Sequence, residues 1–187
     1  RVESAPVYSN LTDLNEPVKF SYAVSLPRLG RVSDDRISVK IGGLPVRLAL
    51  RLFGLETETF TDNLAAARSR RHSLLLPTPW GYSSVVEIAA PEGHEIESLP
   101  DDVKLDSAFG TFSITYEKKD NGHFTMTREI RHTVVRAEAK DYEALRRHFS
   151  EMDEATRKEA VFRKIPAKEP ESSQPIQSRL IGKFAGS

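Results

Sequence analysis

The chain has 187 residues, 39% of them hydrophobic and 29% charged, which is enough for one sizeable core or two small ones. Its 27 basic and 27 acidic side chains cancel, so the overall charge gives no support to a protein that binds nucleic acid or an anionic membrane. The absence of cysteine excludes disulfides, thiolate nucleophiles and cysteine-ligated zinc.

Short strands dominate the first third of the chain. The segment Val18 to Leu26 alternates apolar and polar residues with a period of two, which predicts a strand with one buried face. Weaker strands are predicted at Ile37 to Ile41 and at Val46 to Phe53, with Gly42-Gly43 between them. These patterns predict a β-rich beginning without a crossover helix.

A short helical segment and a turn-rich connection follow. Residues Thr61 to Arg70 are rich in alanine, and Asp62 is a candidate N-cap, so we expect a short helix or an ordered loop there. Strands are expected at Arg71 to Leu76 and Ser83 to Ala90, on either side of a proline-rich turn that carries the only tryptophan.

The segment Phe109 to Val135 predicts a long β-hairpin. A type I turn at Asp120-Asn121 followed by a left-handed Gly122 places all large apolar residues on one face. The resulting pairs are Lys118 with Phe124, Tyr116 with Met126, and Phe112 with Ile130.

The same register places Arg128 and His132 on the apolar face of the hairpin. A buried charge there needs a partner. We expect the stem of Arg128 to lie along the rim of the sheet, with its head reaching water or a carboxylate. Neither residue is expected to be catalytic.

After the hairpin, Asp141 is a candidate N-cap for a helix whose apolar face carries residues spaced by three or four. Those residues are Tyr142, Leu145, Phe149 and Met152. A further helical turn is expected around Asp153 to Glu159, and a last strand at Val161 to Lys164.

The fold predicted from these elements is mainly β, an antiparallel β-sandwich with one or two short C-terminal helices. We expect residues 1–165 to form the β-sandwich domain, with two packed β subregions, about 1–66 and 67–165, as an alternative division. Residues 166–187 mix proline, serine, glutamine and charge without periodicity and are predicted to be a flexible tail. The pattern leaves open whether this tail docks through Leu180 to Phe184.

Local patterns of catalytic or metal-binding residues are missing from the sequence. The five histidines form no HxH or HExxH pair, and no GxSxG elbow occurs, so no catalytic residue, metal site or cofactor is expected. Trp80 and Tyr82 are candidate ligand-binding rings at a sandwich edge, although a plug that closes one end of the core explains them more simply.

The densest basic cluster contains Arg68, Arg70, Arg71 and His72. It is a candidate protein-interaction patch for an acidic partner, although a solvated strand edge is the commoner reason for such charge.

The order of segments resembles a known family. Four segments carry this resemblance: the stretch RRHSLLLPTPWGYSSVVEIAAPEGHEIESLP, the hairpin from Ser107, the segment ITYEKKDNGHFTMTREI and the helix DYEALRRHF. Together they are similar to the C-terminal β-sandwich region of bacterial DUF3857/DUF3858 proteins. Proteins of that family carry a transglutaminase-like domain with a cysteine nucleophile between two β-rich modules. Because this chain has no cysteine, the resemblance implies a non-catalytic accessory module of exported or envelope-associated bacterial proteins.

Two functions follow as expectations. The first is an interaction or scaffolding module, not an enzyme, that binds a protein partner or the rest of its own longer chain in the periplasm or cell envelope. The second is a glycan- or ligand-binding sandwich that uses Trp80 and Tyr82. The start at Arg1 without methionine suggests a fragment of a longer protein, and no apolar run approaches the ~20 residues of a membrane span.

Overall fold

The computed structural model describes residues 3–13, 15–23, 30–42, 59–76 and 78–166. The described chain is mainly β, and every strand pair in it is antiparallel. Its strands are β1 (Val7–Ser9), β2 (Lys19–Ser21), β3 (Arg31–Ser33), β4 (Arg36–Lys40), β5 (Leu74–Leu75), β6 (Trp80–Ala89), β7 (His94–Ser98), β8 (Val103–Ser107), β9 (Gly110–Lys118), β10 (His123–His132), β11 (Arg136–Ala137) and β12 (Glu159–Lys164). Its α-helices are α1 (Phe60–Leu64) and α2 (Tyr142–Arg157), and a 3₁₀ turn, Ala139–Asp141, leads into α2.

Two four-stranded sheets form the body of the described fold. The first has the order β6-β10-β9-β8, and the second has the order β3-β4-β12-β7. Two small ribbons, β1-β2 and β5-β11, accompany them. Because β12 near the end of the described chain pairs with β4 near its beginning, the second sheet joins distant parts of the sequence.

The hairpin β9-β10 has the predicted register. Lys118 pairs with Phe124, Tyr116 with Met126, and Phe112 with Ile130. The predicted left-handed Gly122 is wrong, because positive φ among the described glycines occurs at Gly93 and Gly110 only. Hydrogen bonds explain the difference: the carbonyls of Asn121 and Gly122 accept from the backbone N–H groups of Ile96 and Ala90, and the Gly122 N–H donates to the Asp120 carboxylate.

The helix α2 packs on the apolar face of the first sheet. Its predicted apolar face is confirmed, since Tyr142, Leu145, Phe149 and Met152 are all at most 2% exposed. They pack in one cluster with the hairpin side chains Phe112, Ile114, Met126 and Ile130. The two predicted C-terminal helical stretches form one continuous helix of 16 residues.

A second cluster joins the two sheets near the tip of the hairpin. Phe124 of the first sheet contacts Phe162 of the second, with ring centroids 6.2 Å apart. The other buried residues of this cluster are Val39, Ile41, Ile96 and Ala160. The antiparallel, sandwich-like arrangement predicted from the sequence is therefore confirmed as the fold class.

The early strands agree only in part with their predictions. The strand expected at Ile37 to Ile41 is present as β4. The strand expected at Val18 to Leu26 is shorter in the described residues, where only β2 is present. Val18 and Tyr22 are 60% and 37% exposed, so their predicted burial is wrong; in the described residues β2 pairs only with the short strand β1. The strand predicted at Val46 to Phe53 and the tail beyond Pro166 lie outside the described residues.

The helix α1 begins earlier than predicted. Its N-cap is Thr59, not Asp62, because the side chain of Thr59 accepts a hydrogen bond from the Asp62 backbone N–H. The buried carboxylate of Asp153 on α2 accepts from the N–H groups of Phe60 and Thr61 at 2.7 and 3.0 Å. A side chain 92 residues away thus helps to fix where this helix starts.

Candidate functional site

The two candidate ligand-binding rings lie at the start of β6 and face inward. Trp80 stacks on Phe60, with ring centroids 6.4 Å apart and planes at 15°, and it contacts the ring of His132. Tyr82 lies beneath the guanidinium of Arg128, 5.6 Å from its Cζ atom. Both rings are half-buried and pack against the hydrophobic core. This geometry favours the aromatic plug over an open sugar-binding platform.

Arg128 is fully buried, so the expected position at the sheet rim is wrong. Its guanidinium donates hydrogen bonds to the Gly42 carbonyl and, at 3.3 Å, to the hydroxyl of Ser84. Burial lowers the pKa of this guanidinium from its usual value, and Tyr82 opposes that shift. The backbone carbonyl of Gly42 and the ring of Tyr82 thus contact the guanidinium in place of the predicted water or carboxylate.

Two buried histidines lie where α2 packs on the first sheet: His132 ends β10, and His148 belongs to α2 itself. The ring of His132 is 3% exposed and lies between Trp80 and Phe149, with ring centroids at 6.2 and 5.8 Å. Its Nε2 atom has no hydrogen-bond partner among the described residues. Burial lowers the pKa of His132 and of His148 below the usual value, because the protonated ring is poorly solvated there.

His148 also forms a contact that sequence spacing did not predict. Its Nδ1 atom lies 3.3 Å from the hydroxyl of Ser107, 41 positions earlier in the chain. The same hydroxyl accepts from the Phe109 N–H and donates to the Gly110 carbonyl, both at 3.2 Å. A serine that closes a tight turn in this way stabilises the backbone, so the pair is better explained as structural than as nucleophile and base.

The basic cluster lies on the connection between α1 and β5. Arg68, Arg70, Arg71 and His72 are all exposed. Arg70 lies over the ring of Tyr142 at 5.5 Å, and the Tyr142 hydroxyl donates to the Ala67 carbonyl at 2.7 Å. These two contacts tie the connection to the first turn of α2. The structure shows the cluster at the surface without assigning it a partner.

A concave surface of the described chain runs between β8 and α2, and we call it the edge groove. It has a volume of about 820 Å³, within the range of ligand-binding clefts. One wall consists of consecutive residues, Lys104 to Phe109, and the other walls come from residues around Arg136 and from α2. Since neighbouring side chains of a strand point to opposite faces, a groove lined by consecutive residues follows the edge of β8.

That edge is open in the described part of the chain. β8 is the last strand of the first sheet, and its only partner among the described residues is β9. In an antiparallel pair, alternate residues direct their N–H and C=O groups away from the partner. Within the described ranges, the edge groove therefore presents backbone donors and acceptors that have no strand partner, beside a helix, and such an arrangement can receive an extended peptide.

Charged side chains surround the edge groove. Arg136 pairs with Glu138 at 2.8 Å, and Arg147 lies 3.8 Å from Glu143. Three further carboxylates of the lining, Asp106, Asp141 and Glu151, have no ion-pair partner among the residues that the structure describes. Lys104 is a lining cation that likewise has no ion pair in the described part of the chain, so three unpaired carboxylates accompany one unpaired ammonium group.

Two other kinds of feature, a metal centre and a membrane-spanning helix, are absent from the described ranges. Within them, no three histidine or acidic side chains lie close enough together to hold a metal ion. Likewise, none of the helices in those ranges combines the length and the apolar character that crossing a membrane requires.

Comparisons with known proteins place the chain in a family. Among solved structures, it is similar to the "putative protease from Parabacteroides distasonis ATCC 8503", with 16% identity and a TM-score of 0.46. The alignment covers 55% of this chain and 20% of that one, so this chain spans about a fifth of that protein. No curated protein matches. The model of the family described as "Domain of Unknown Function with solved-structure structure (DUF3858)" matches residues 50–162. Because that match covers more than half of the chain, the protein belongs to the DUF3858 family.

Proposed function

We propose that this chain is a non-catalytic accessory module of a larger exported bacterial protein with a transglutaminase-like domain. It acts by docking a protein partner or the rest of its own longer chain. Its place in the periplasm or cell envelope is part of the same proposal, because the proteins that it resembles are generally exported. Family membership and the positions of the polar side chains both support this function.

The observation that carries the proposal is that three polar side chains inside the fold, Arg128, Asp153 and Ser107, are engaged in contacts that hold it together. Arg128 binds the Gly42 carbonyl, Asp153 caps α1, and Ser107 closes the turn before β9. A catalytic side chain has to reach its substrate, and these groups are enclosed or already hydrogen-bonded. Their arrangement supports a structural role for the polar residues inside the fold.

The edge groove supports docking as the mode of action. An open strand edge beside a helix can bind a peptide through main-chain hydrogen bonds and through pockets for alternate side chains. β8 has this setting, with half-buried Leu105 and exposed Asp106 as neighbours along the groove. Such a surface does not need a nucleophile, a metal or a cofactor.

Cross-linking of the intact gene product tests the proposal. Lys104 is exposed in the edge groove, and Lys118 is exposed at the far end of the hairpin. After treatment with a lysine-reactive cross-linker, we expect Lys104, but not Lys118, to be joined to residues upstream of Arg1 or to a separate partner protein. Turnover of a peptidase or transglutaminase substrate by the isolated 187-residue chain would contradict the non-catalytic part of the proposal.

A further inference from the structure

The connection between α1 and β5 is a continuous exposed stretch of the described chain. All residues from 66 to 72 are exposed, and none of them belongs to a helix or a strand. Buried side chains, Ala65 on one side and Leu76 on the other, anchor the ends of this connection. We call it the arginine loop, after Arg68, Arg70 and Arg71.

The backbone of the arginine loop is held at few points. The Ala67 carbonyl accepts from the Tyr142 hydroxyl at 2.7 Å, and the guanidinium of Arg70 lies over the same ring. In the described part of the chain, residues 68–72 form no backbone hydrogen bond with another backbone group. Exposed loops of this kind are preferred sites of proteolytic cleavage, because they can enter the cleft of a protease with little local unfolding.

Other basic residues of the described ranges are held more firmly. Apart from the three in the arginine loop, every arginine in those ranges lies within a strand or in α2. The exposed pair Lys118 and Lys119 lies at the tip of the hairpin, where Lys118 pairs with Phe124 and the Lys119 N–H donates to the His123 carbonyl at 3.0 Å. A protease has to break sheet, turn or helix hydrogen bonds to reach these residues, but not to reach the arginine loop.

The parts of the chain before and after the arginine loop are joined by many non-covalent contacts. β4 precedes the loop and pairs with β12 over five residue pairs. The carboxylate of Asp153 accepts from the N–H groups of Phe60 and Thr61, and the ring of Phe60 stacks on Trp80. The second hydrophobic cluster also contains side chains from both parts. These contacts do not depend on an intact loop.

We propose that the arginine loop is a processing site for an arginine-specific endopeptidase, and that the cut chain stays one folded unit. Such a protease recognises the arginine through a carboxylate in its specificity pocket. Water is added across the peptide bond that follows the arginine, which leaves a carboxylate on the arginine and an amine on the next residue. Processing converts a covalent connection into a reversible one, and this inference does not rest on docking through the edge groove.

Limited digestion of the intact 187-residue chain with trypsin tests the accessibility of the site. Each cut is followed by mass spectrometry. Among the sites in the described ranges, we expect cuts after Arg68, Arg70 or Arg71 to form at least about tenfold faster than cuts after Lys118 or Lys119. A faster cut at any other described site would overturn the proposal.

Processing itself is tested on the protein isolated from the cells that produce it. We expect a new amino terminus at Ser69, Arg71 or His72. A variant with Arg68→Gln, Arg70→Gln and Arg71→Gln should remain uncut there, whereas the matched variant with Lys118→Gln and Lys119→Gln should be processed as the wild type is. A chain that stays intact through the arginine loop in its own cells would contradict processing.

Gel filtration of the trypsin-cut chain tests whether it stays one unit. We expect the two fragments to elute together, with the Trp80 emission of the uncut arginine variant, because Phe60 and Trp80 lie on different fragments and remain stacked. Asp153→Ala should raise the dissociation constant of the fragments at least about tenfold, while Glu154→Ala leaves it unchanged. Separation of the wild-type fragments after cutting would overturn this part of the proposal.

Discussion

Replacement of Asp153 by alanine tests whether this residue of α2 stabilises the first turn of α1. The Asp153 side chain is 4% exposed, and its two carboxylate oxygens accept from the Phe60 and Thr61 backbone N–H groups at 2.7 and 3.0 Å. Hydrogen bonds to a charged acceptor contribute about 1.5–3 kcal/mol each, and neighbouring bonds are not additive. We therefore expect Asp153→Ala to lower the free energy of unfolding by about 3 kcal/mol.

Urea unfolding followed by tryptophan fluorescence is the assay. Trp80 stacks on Phe60 of α1, so its emission reports directly on the element that loses its cap. For a chain of this length, the expected loss corresponds to a fall of about 6–12 °C in the melting temperature. Asp153→Asn should lose a smaller part, because its amide keeps one oxygen acceptor.

The matched control is Glu154→Ala, an exposed carboxylate in the same turn of the helix. It should change the free energy of unfolding by no more than about 0.5 kcal/mol. If Asp153→Ala lowered the free energy of unfolding by as little as this control, the conclusion that Asp153 of α2 stabilises the start of α1 would be refuted.

Three further predictions follow from single contacts. Gly110→Ala should cost at least about 2 kcal/mol, since Gly110 has φ +145° and an added Cβ would overlap a backbone carbonyl oxygen. The control is Gly81→Ala, where an added Cβ would make only an ordinary van der Waals contact, and equal urea midpoints for the two variants would contradict this reading. Because burial lowers the pKa of His132 and His148 below the usual 6.5, the unfolded chain binds more protons just below that pH, and stability should fall as the pH drops from about 7.5 to about 5.5. His132→Phe should flatten this slope of urea midpoint against pH, and an unchanged slope would refute the assignment. Acrylamide should quench Trp80 less than it quenches free tryptophan, and a panel of sugars should leave its emission unchanged; a sugar-dependent shift would favour the ligand-binding function.

The long hairpin and the helix α2 were predictable because their signals are periodic and local. Nine or more residues of alternation fix the register of β9 and β10, since a slip of one residue would turn every apolar side chain to the other face. In α2, Tyr142, Leu145 and Phe149 recur at helical spacing and define one buried stripe. The loop at Gly122 was mispredicted because backbone groups of another strand determine its path.

Most contacts of the candidate site could not be predicted, because they join residues far apart in the chain. Arg128 and Gly42 are separated by 86 positions, and Ser107 and His148 by 41. Periodicity placed Arg128 on the buried face of the hairpin, but it gave no information about which carbonyl accepts the hydrogen bond from its guanidinium. The edge groove likewise forms only once β8 becomes the last strand of its sheet and α2 lies beside it.

The proposed division of the chain into a domain, with or without subregions at about 1–66 and 67–165, stays a prediction. The pairing of β4 with β12 joins residues from the two sides of that division. The basic cluster at Arg68 to His72 also stays a candidate interaction patch, exposed beside the first turn of α2.

The proposed function predicts that this chain binds the rest of a longer protein, and binding between the two, expressed separately, tests that prediction most directly. Ala144 is exposed on α2 and lines the edge groove, whereas Ser150 is exposed on the same helix outside it. The account predicts that Ala144→Arg weakens the affinity measured by calorimetry at least about tenfold, while Ser150→Arg leaves it unchanged. Equal affinity for both variants and the wild-type chain would contradict docking through the edge groove.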